Sequence, residues 1–538
     1  MSNIELLDCT LRDGAYINGS HFGAASIKGI IKSLQRANAD IIECGWLKDS
    51  EHEYGTTYYH VPSDIEQYLV DKKTNITYVV MIDWDRYDTD RLPDYDGKSI
   101  DAIRVVFPHG RHKEGIEVGR KIREKGYKVF FQAANTLAYS DDDLVELAKD
   151  MNEFKPVSVS VVDTFGAMYD EDLLHILDVL KKELSPDIKI GFHSHNNQQL
   201  AFSLAMKFVE DLKKAGRDCI VDATLCGMGR GAGNATTELV VSYLNKKQSC
   251  NYDLDAVMNA IDIYMQEYQE KYSWGYSTPY FIAGLYQCHV NNIAYLLNNH
   301  RTNAKDMRNI IDSLSQEDRR KYDYDLLEQK YLENQNRIVD DEKVFDALSK
   351  ELSGKEVLLL CPGGTLIEEK DKIESYIEAH SPITIGVNAI IPGYKYDYLF
   401  FVNHARYEYA EQAHPNTFKS TRHILLSNIK TGSDSNEIII NYNRAIKRGW
   451  EHFDNAAICG LRLMDRLGIS NISIAGFDGF KTKYNESYAD ESLPSLNPEG
   501  KWDELNVEIR EIYQDFIHKA KNIKKVNFVT ESIFTEED

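Results

Sequence analysis

Apolar, β-branched runs recur along the first 230 residues, separated by stretches with helical spacing. They are Ile4–Leu11, Asp40–Trp46, Ile76–Asp83, Ala102–Phe107, Lys128–Asn135, Ser158–Thr164, Ile188–His195 and Cys219–Gly229. Runs that are apolar on both faces belong to a parallel sheet covered by helices on each side. Eight βα units in this length predict a closed (β/α)8 TIM barrel, assigned to residues 1–250. A doubly wound open sheet is the alternative on spacing alone.

From Tyr252 to Lys350 the pattern turns helical and charged, and residues 251–353 are assigned to a helical extension. Its stretch "STPYFIAGLYQCHVNNIAYLL" is an apolar helical segment that can cover the barrel mouth. A second strand–helix alternation fills residues 354–538, with strand candidates in "EVLLLCPGGTL", "PITIGVN", "YDYLFFVN", "RHILLS", "NEIIIN" and "NISIAGFDG". It predicts a Rossmann-like open-sheet domain, so the fold class is α/β throughout.

Composition narrows the function classes. A chain of 538 residues is too long for one core. Its net charge of −23, from 85 acidic and 62 basic residues, opposes binding to nucleic acid or an anionic membrane surface. No apolar run approaches the roughly 18 residues of a membrane span. The N-terminal Met-Ser-Asn-Ile-Glu has no basic or apolar leader, and the eight cysteines form no CxxC pair. Cys9, Cys44 and Cys219 read as small core residues, and a reduced, cytoplasmic protein is expected.

In such a barrel the active site lies at the carboxyl ends of the strands. Ionisable and polar residues collect there: Arg12 and Asp13, Glu43, His109, Asn135, Asp163, and the pair His193 and His195 in "GFHSHNN". On a strand, residues two apart share a face, so both imidazoles can look into the mouth. Strands seven, eight and one are consecutive on a closed ring, which makes Asp13 the natural third ligand. Two imidazoles and a carboxylate suit Mn, Mg, Co or Zn. The bland alternatives are a chance His-x-His pair and a plain ion pair of Arg12 with Asp13 or Glu43. Glu43, Asn135 and Asp163 are candidates for substrate contact.

"LLDCTLRDG", "GFHSHNN" and "GMGRGAGN", in that order and with "DTFGAM" after strand six, resemble the signatures of the TIM-barrel metal-dependent aldolase and lyase superfamily. That superfamily includes 4-hydroxy-2-oxovalerate aldolase, 3-hydroxy-3-methylglutaryl-CoA lyase and isopropylmalate synthase, and the resemblance covers roughly residues 1–300. It implies that Asp13, His193 and His195 hold a divalent metal, Mn or Mg being favoured, with Asn234 as a further group at the metal. It implies Arg12 beside a developing enolate oxygen. The substrates implied are a 2-oxo acid, with pyruvate as the enolate component, and an aldehyde, handled by a homo-oligomer. One position departs from the aldolases: Tyr16 stands where they keep an acid/base histidine, and a phenol of ordinary pKa is a poor base at neutral pH. Tyr16, His21, His109 and Tyr286, with Tyr276 and Tyr280, are the candidates for proton transfer. The Gly-rich segment has no cysteine of its own, which weakens a CoA-thioester lyase reading.

In the second half, "LLLCPGGTL" sets Gly363, Gly364 and Thr365 between a strand and a helix, where backbone N–H groups can hold a phosphate. A tight turn that simply needs glycine is the alternative. Asn388, Asn403 and Asp478 close later strands at the edge where open sheets bind ligands. The pattern resembles sialyltransferase-like, glycan-associated Rossmann-like domains, which implies a nucleotide or nucleotide-sugar ligand. A glycan-related transferase with a degenerate barrel, or a CoA-dependent Claisen-type enzyme, are the alternative readings of the whole chain.

Overall fold

The structure is a computed structural model and describes residues 3–300, 302–335, 338–429, 431, 436–447, 449–450, 455–481, 487–494 and 501–535. The chain forms two compact units: Met1–Ile293 with Ser315–Tyr322, and Ala294–Leu314 with Asp323–Asp538. The helices between Leu254 and Leu352 are divided between them.

In the first unit, eight strands form a ring. They are β1 (Ile4–Asp8), β2 (Ile41–Leu47), β3 (Thr77–Asp83), β4 (Ala102–Phe107), β5 (Lys128–Ala133), β6 (Ser158–Asp163), β7 (Lys189–Ser194) and β8 (Cys219–Ala223). Every neighbouring pair is parallel. β1 pairs with both β2 and β8, so the sheet closes, with Leu7 opposite Ile41 and Asp8 opposite Ala223. The open-sheet alternative is excluded for this half.

The helices outside present apolar stripes to the strands. The helix Ala24–Arg36, for instance, buries Ile27, Ile30, Ile31 and Leu34, the spacing of one helical face. Inside the ring, the period of two makes layers. Leu7, Ile41, Val79, Ala102, Phe130 and Ile220 form an apolar plug. Two residues further along the same faces stand Glu43, Arg104, Gln132 and Asp222, all buried. Two residues further again, Val106 and Ala134 line a cavity.

Two strand ends are shorter than the apolar runs imply. β1 stops at Asp8, and Thr10–Asp13 is a single helical turn closed by Asp13 N–H to Cys9 O (2.9 Å) and Gly14 N–H to Thr10 O (2.9 Å). Asp8 starts this turn by accepting from the Thr10 N–H (3.0 Å), which fixes where the strand must end. β8 stops at Ala223, and a 3-10 turn over Leu225–Gly227 leads into the Gly-rich loop.

The second unit contains a seven-stranded, all-parallel sheet of β9 (Val357–Leu360), β10 (Ile383–Val387), β11 (Tyr398–Phe401), β12 (Arg422–Leu426), β13 (Glu437–Ile440), β14 (Ile472–Ala475) and β15 (Asn527–Phe528). Its spatial order is β13-β12-β11-β10-β9-β14-β15. The order reverses between β9 and β14, the place where open α/β sheets take ligands. Among the described residues no helix is long and apolar enough to cross a membrane.

Candidate metal centre and its cavity

The helical turn after β1 carries Arg12 and Asp13 over the end of the ring, where they meet His193 at the end of β7. Asp13 Oδ2 lies 3.5 Å from His193 Nε2 and 3.7 Å from His195 Nε2. The two imidazoles stand nearly perpendicular, with centroids 5.0 Å apart. One donor atom from each of the three residues falls within 4.8 Å of the others. Both rings are held from behind: His193 Nδ1 is 3.1 Å from Asp222 Oδ2, and His195 Nδ1 is 3.0 Å from the Asp163 carbonyl oxygen. With Nδ1–H donated outward, each Nε2 presents a lone pair toward Asp13, the orientation a metal-binding histidine needs. Asn234 Nδ2 donates to Asp13 Oδ2, so Asn234 joins the same cluster.

The charges behind this cluster form a buried chain. Arg12 Nη1 donates to Asp13 Oδ1 (2.7 Å) and Arg12 Nε to Glu43 Oε2 (2.8 Å). Arg104 Nη1 lies 2.9 Å from the same Glu43 oxygen, and Arg104 Nη2 donates to Asp222 Oδ2. Three carboxylates thus face two guanidiniums, leaving one net negative charge in a place almost free of water. Among the buried polar atoms without a hydrogen-bond partner are His193 Nε2 and Asn234 Oδ1. A divalent cation with nitrogen and oxygen ligands answers both features, so Asp13, His193, His195 and Asn234 fit a metal. Cys9 Sγ is also near His193 and Asp222, but it donates to Ala223 O and burial raises its thiol well above the ordinary range.

Burial raises the Asp13 carboxyl, yet the Arg12 guanidinium and the two imidazoles outweigh it and hold its pKa well below the usual range. Burial pushes His195 down to about 4. For His193 burial acts in the same direction, but contact with Asp13 and Asp222 prevails and its pKa is raised.

A cavity of about 130 Å³ opens on the cluster. That is well below the several hundred Å³ of a drug-sized pocket and suits a small metabolite. Its walls include Arg12, Asp13, Tyr16, Trp46, Asp83, Gln132, Thr164, His193, His195, Arg230 and His289. Arg12 Nη2 is buried with no hydrogen-bond partner. Tyr16 packs edge-on against Trp46 (centroids 6.0 Å apart) and under the Arg230 guanidinium (3.8 Å). Packing raises its hydroxyl above the ordinary phenol value, so it keeps its proton at neutral pH.

Several candidates from the sequence stand elsewhere. Glu43 is fully buried behind Arg12, where it anchors guanidiniums and does not line the cavity. Asp163 accepts the N–H groups of Ala167 (2.9 Å) and Met168 (3.2 Å), tying down the loop after β6, and burial raises its pKa to about 7. Asn135 takes a left-handed conformation (φ 54°) and its N–H donates to Thr164 Oγ1 (2.7 Å). His21 is exposed beside Glu53 (3.6 Å), His109 pairs with Asp143 (3.1 Å), and Tyr286 stacks on Arg319 (4.9 Å). None of these lines the cavity.

Sequence reasoning did not single out Asp222, Arg104, Arg230 or His289. The signal for the first two is a lone charge inside an apolar strand, "CIVDA" and "AIRVVF", two residues after an inward apolar side chain.

In the second unit, the Gly-rich turn is closed on a carboxylate. Asp478, after β14, accepts the Thr365 N–H (2.8 Å) at Oδ2 and the Thr365 hydroxyl at Oδ1. Gly363 N–H donates to Gly476 O (2.9 Å). A Cβ at Gly363 would stand 2.4 Å from that same oxygen, so this position needs glycine for close approach. The Thr365 N–H of this turn thus has a carboxylate partner. Asn388 Oδ1 accepts from Val402 N–H (2.9 Å), and Asn403 Oδ1 caps the helix His404–Ala413 through Arg406 N–H (2.9 Å). All three polar strand-end residues have structural partners.

Known proteins point the same way as the cluster. The HMGL-like family model matches residues 112–264. The chain is 30% identical over 256 residues to a 4-hydroxy-2-oxovalerate aldolase of Salinispora arenicola, spanning 46% of this chain and 69% of that one. It is 28% identical over 275 residues to the enzyme of the same name from Pelotomaculum thermopropionicum, spanning 48% and 76%. It is 26% identical over 267 residues to an oxaloacetate decarboxylase of Mycobacterium tuberculosis, spanning 47% and 74%. With its closed parallel ring and a metal-competent rim, the chain belongs to the HMGL-like family of aldolases and lyases, enzymes of carbon–carbon bond chemistry that work with a divalent metal.

Proposed function

We propose that the barrel cleaves or forms the C3–C4 bond of a 4-hydroxy-2-oxo acid through the enolate of a pyruvate-type product. The observation that carries this is Arg12 Nη2, a buried guanidinium donor with no partner, lining the cavity beside Asp13 and the two imidazoles. Cleavage moves the C3–C4 electron pair onto the keto oxygen at C2, and a fixed donor there stabilises the charge as it develops. Asp13, His193, His195 and Asn234 would hold the divalent metal, which when bound supplies a Lewis acid for the 2-oxo acid. Glu43 fixes Arg12 Nε, so the free Nη2 is aimed without reorganisation during the reaction. Tyr16 keeps its proton and acts as a donor. Apart from Asp13, the carboxylate lining the cavity is Asp83, available to take the proton of the C4 hydroxyl.

The test is pyruvate release by the purified full chain from a panel of 4-hydroxy-2-oxo acids, with metal added and then chelated. Cleavage should follow the metal, and His193→Ala should lower it on the order of a thousandfold or more. Cleavage that survives both the chelator and His193→Ala would sink the proposal.

A further inference from the structure

The cavity has a second cationic group. Arg230, in the loop after β8, is half-buried and lines the cavity. Its guanidinium lies 3.8 Å over the Tyr16 ring, and its Nη1 lies 3.4 Å from His289 Nε2. Among the described residues it has no carboxylate at ion-pair distance. This separates it from Arg12 and Arg104, whose charges are each shared by two carboxylates.

Its neighbour cannot neutralise it. His289 Nδ1 lies 3.1 Å from the Asn291 backbone N, and Nε2 faces the Arg230 guanidinium. Both ring nitrogens then face donors, which disfavours the imidazolium. Burial and the nearby guanidinium push His289 down to about 3, and the ring is neutral at any physiological pH. The ring is held in place: its backbone N–H donates to Arg319 O (2.7 Å) and it packs on Tyr322 (4.8 Å). Arg230 therefore brings to the lining of the cavity a positive charge with no carboxylate at ion-pair distance among the described residues, beside a neutral imidazole. Tyr16 lies beneath the guanidinium and adds only the face of its ring.

We propose that Arg230 is a subsite for a second carboxylate on the substrate, so that the barrel acts on dicarboxylic 2-oxo acids in preference to monocarboxylic ones. The inference rests on the reading of the barrel as acting on a 2-oxo acid. One end of the ligand, the 2-oxo carboxylate, goes to the metal cluster and the unpartnered Nη2 of Arg12. The other end meets Arg230 in a fork that suits a planar carboxylate.

The test is titration calorimetry of the full chain loaded with Mn2+, using 2-oxoglutarate and 2-oxovalerate. These ligands have the same chain length and differ only in the terminal carboxylate or methyl. 2-Oxoglutarate is expected to bind about tenfold to a hundredfold more tightly. Arg230→Gln should bring the two affinities to within about twofold, and Arg230→Lys, which keeps the charge but not the fork, should leave an intermediate ratio. Equal affinities in the unaltered chain overturn the subsite, as does a preference that persists in Arg230→Gln. Binding of neither ligand overturns it as well. A chain that takes up no Mn2+ and shows no change with His193→Ala overturns the parent reading instead.

Discussion

At the barrel rim, carboxylates are drawn into a chain of guanidiniums and imidazoles; at the carboxyl edge of the second sheet, one carboxylate is turned back onto its own turn. Asp13 and Asp222 both have lowered pKa values despite complete burial, because Arg12 and Arg104 stand against them. Asp478 has a raised value, because burial outweighs the Thr365 donors and the more distant Lys481 charge. The first arrangement leaves surplus negative charge and unpartnered donor atoms. The second leaves the turn satisfied. A strand-end carboxylate therefore marks a ligand site when its surroundings remain incomplete, and position at a strand end alone does not separate the two cases.

The strongest way to break this contrast is to remove a cation from the barrel. Arg104 lies between Glu43 and Asp222 with 1% of its side chain exposed. Arg104→Met keeps much of the volume and leaves three buried carboxylates to one guanidinium, with Asp222 losing its guanidinium partner. Removing one partner of a buried pair costs about 3–5 kcal/mol. Urea unfolding of the barrel at neutral pH should show that loss. A change under about 1 kcal/mol would mean that the buried charges do not depend on one another.

Asp163 extends the comparison within the barrel, because it is a buried carboxyl without a guanidinium partner. Its pKa is raised to about 7, against an ordinary value near 4 in the unfolded chain. The folded state binds the proton more tightly, so the stabilisation is complete below about pH 4 and is lost as pH rises through about 7. Between pH 5 and pH 8 the group should withdraw on the order of 2–3 kcal/mol. Asp163→Asn should flatten the unfolding midpoint over that window. A slope unchanged by the substitution assigns the pH dependence to another group.

Asp222→Asn tests the link from the buried chain to the metal ligands. The amide can accept from His193 Nδ1–H but brings no charge, and support from behind a ligand is typically worth about tenfold to a hundredfold in metal affinity. Metal titration should show that weakening with the barrel still folded. Unaltered affinity would leave Asp222 as a partner of Arg104 alone.

The barrel was legible because parallel strands buried on both faces leave near-continuous apolar runs, and eight of them admit few closures. Asp13, His193 and His195 were legible because the period of two and the order of strands on the ring bring them together. The charges behind them were not: Arg104 and Asp222 each interrupt an apolar run singly, and their 118-residue separation gives no local pattern. His289 lies three residues beyond Tyr286 in a stretch read as helix. The turn at Gln287 (φ 49°) before the helix Val290–Asn299 gives the two side chains different surroundings. The Gly-rich turn is ambiguous for a related reason. A loop shaped for phosphate and a loop shaped around a carboxylate share the same local sequence, and Asp478 is 113 residues away.

That turn supplies the smallest and most discriminating prediction. Asp478→Asn keeps the side chain's shape and replaces one acceptor oxygen with a donor, which fits with Oδ1 toward the Thr365 N–H and Nδ2 toward the Thr365 hydroxyl. Both contacts can persist, because the amide can donate to the Thr365 hydroxyl while that hydroxyl donates to Thr530 Oγ1, so the expected loss is under about 1 kcal/mol. Unfolding followed by a probe in the second unit should show this. CMP, UDP and GDP are expected to leave the melting temperature of the unaltered chain in place, because the N–H that would meet a phosphate already donates to Asp478. A nucleotide-dependent rise in melting temperature, lost in Thr365→Val, would mean that the carboxylate gives way to phosphate and that the two sheet edges are alike in binding ligands.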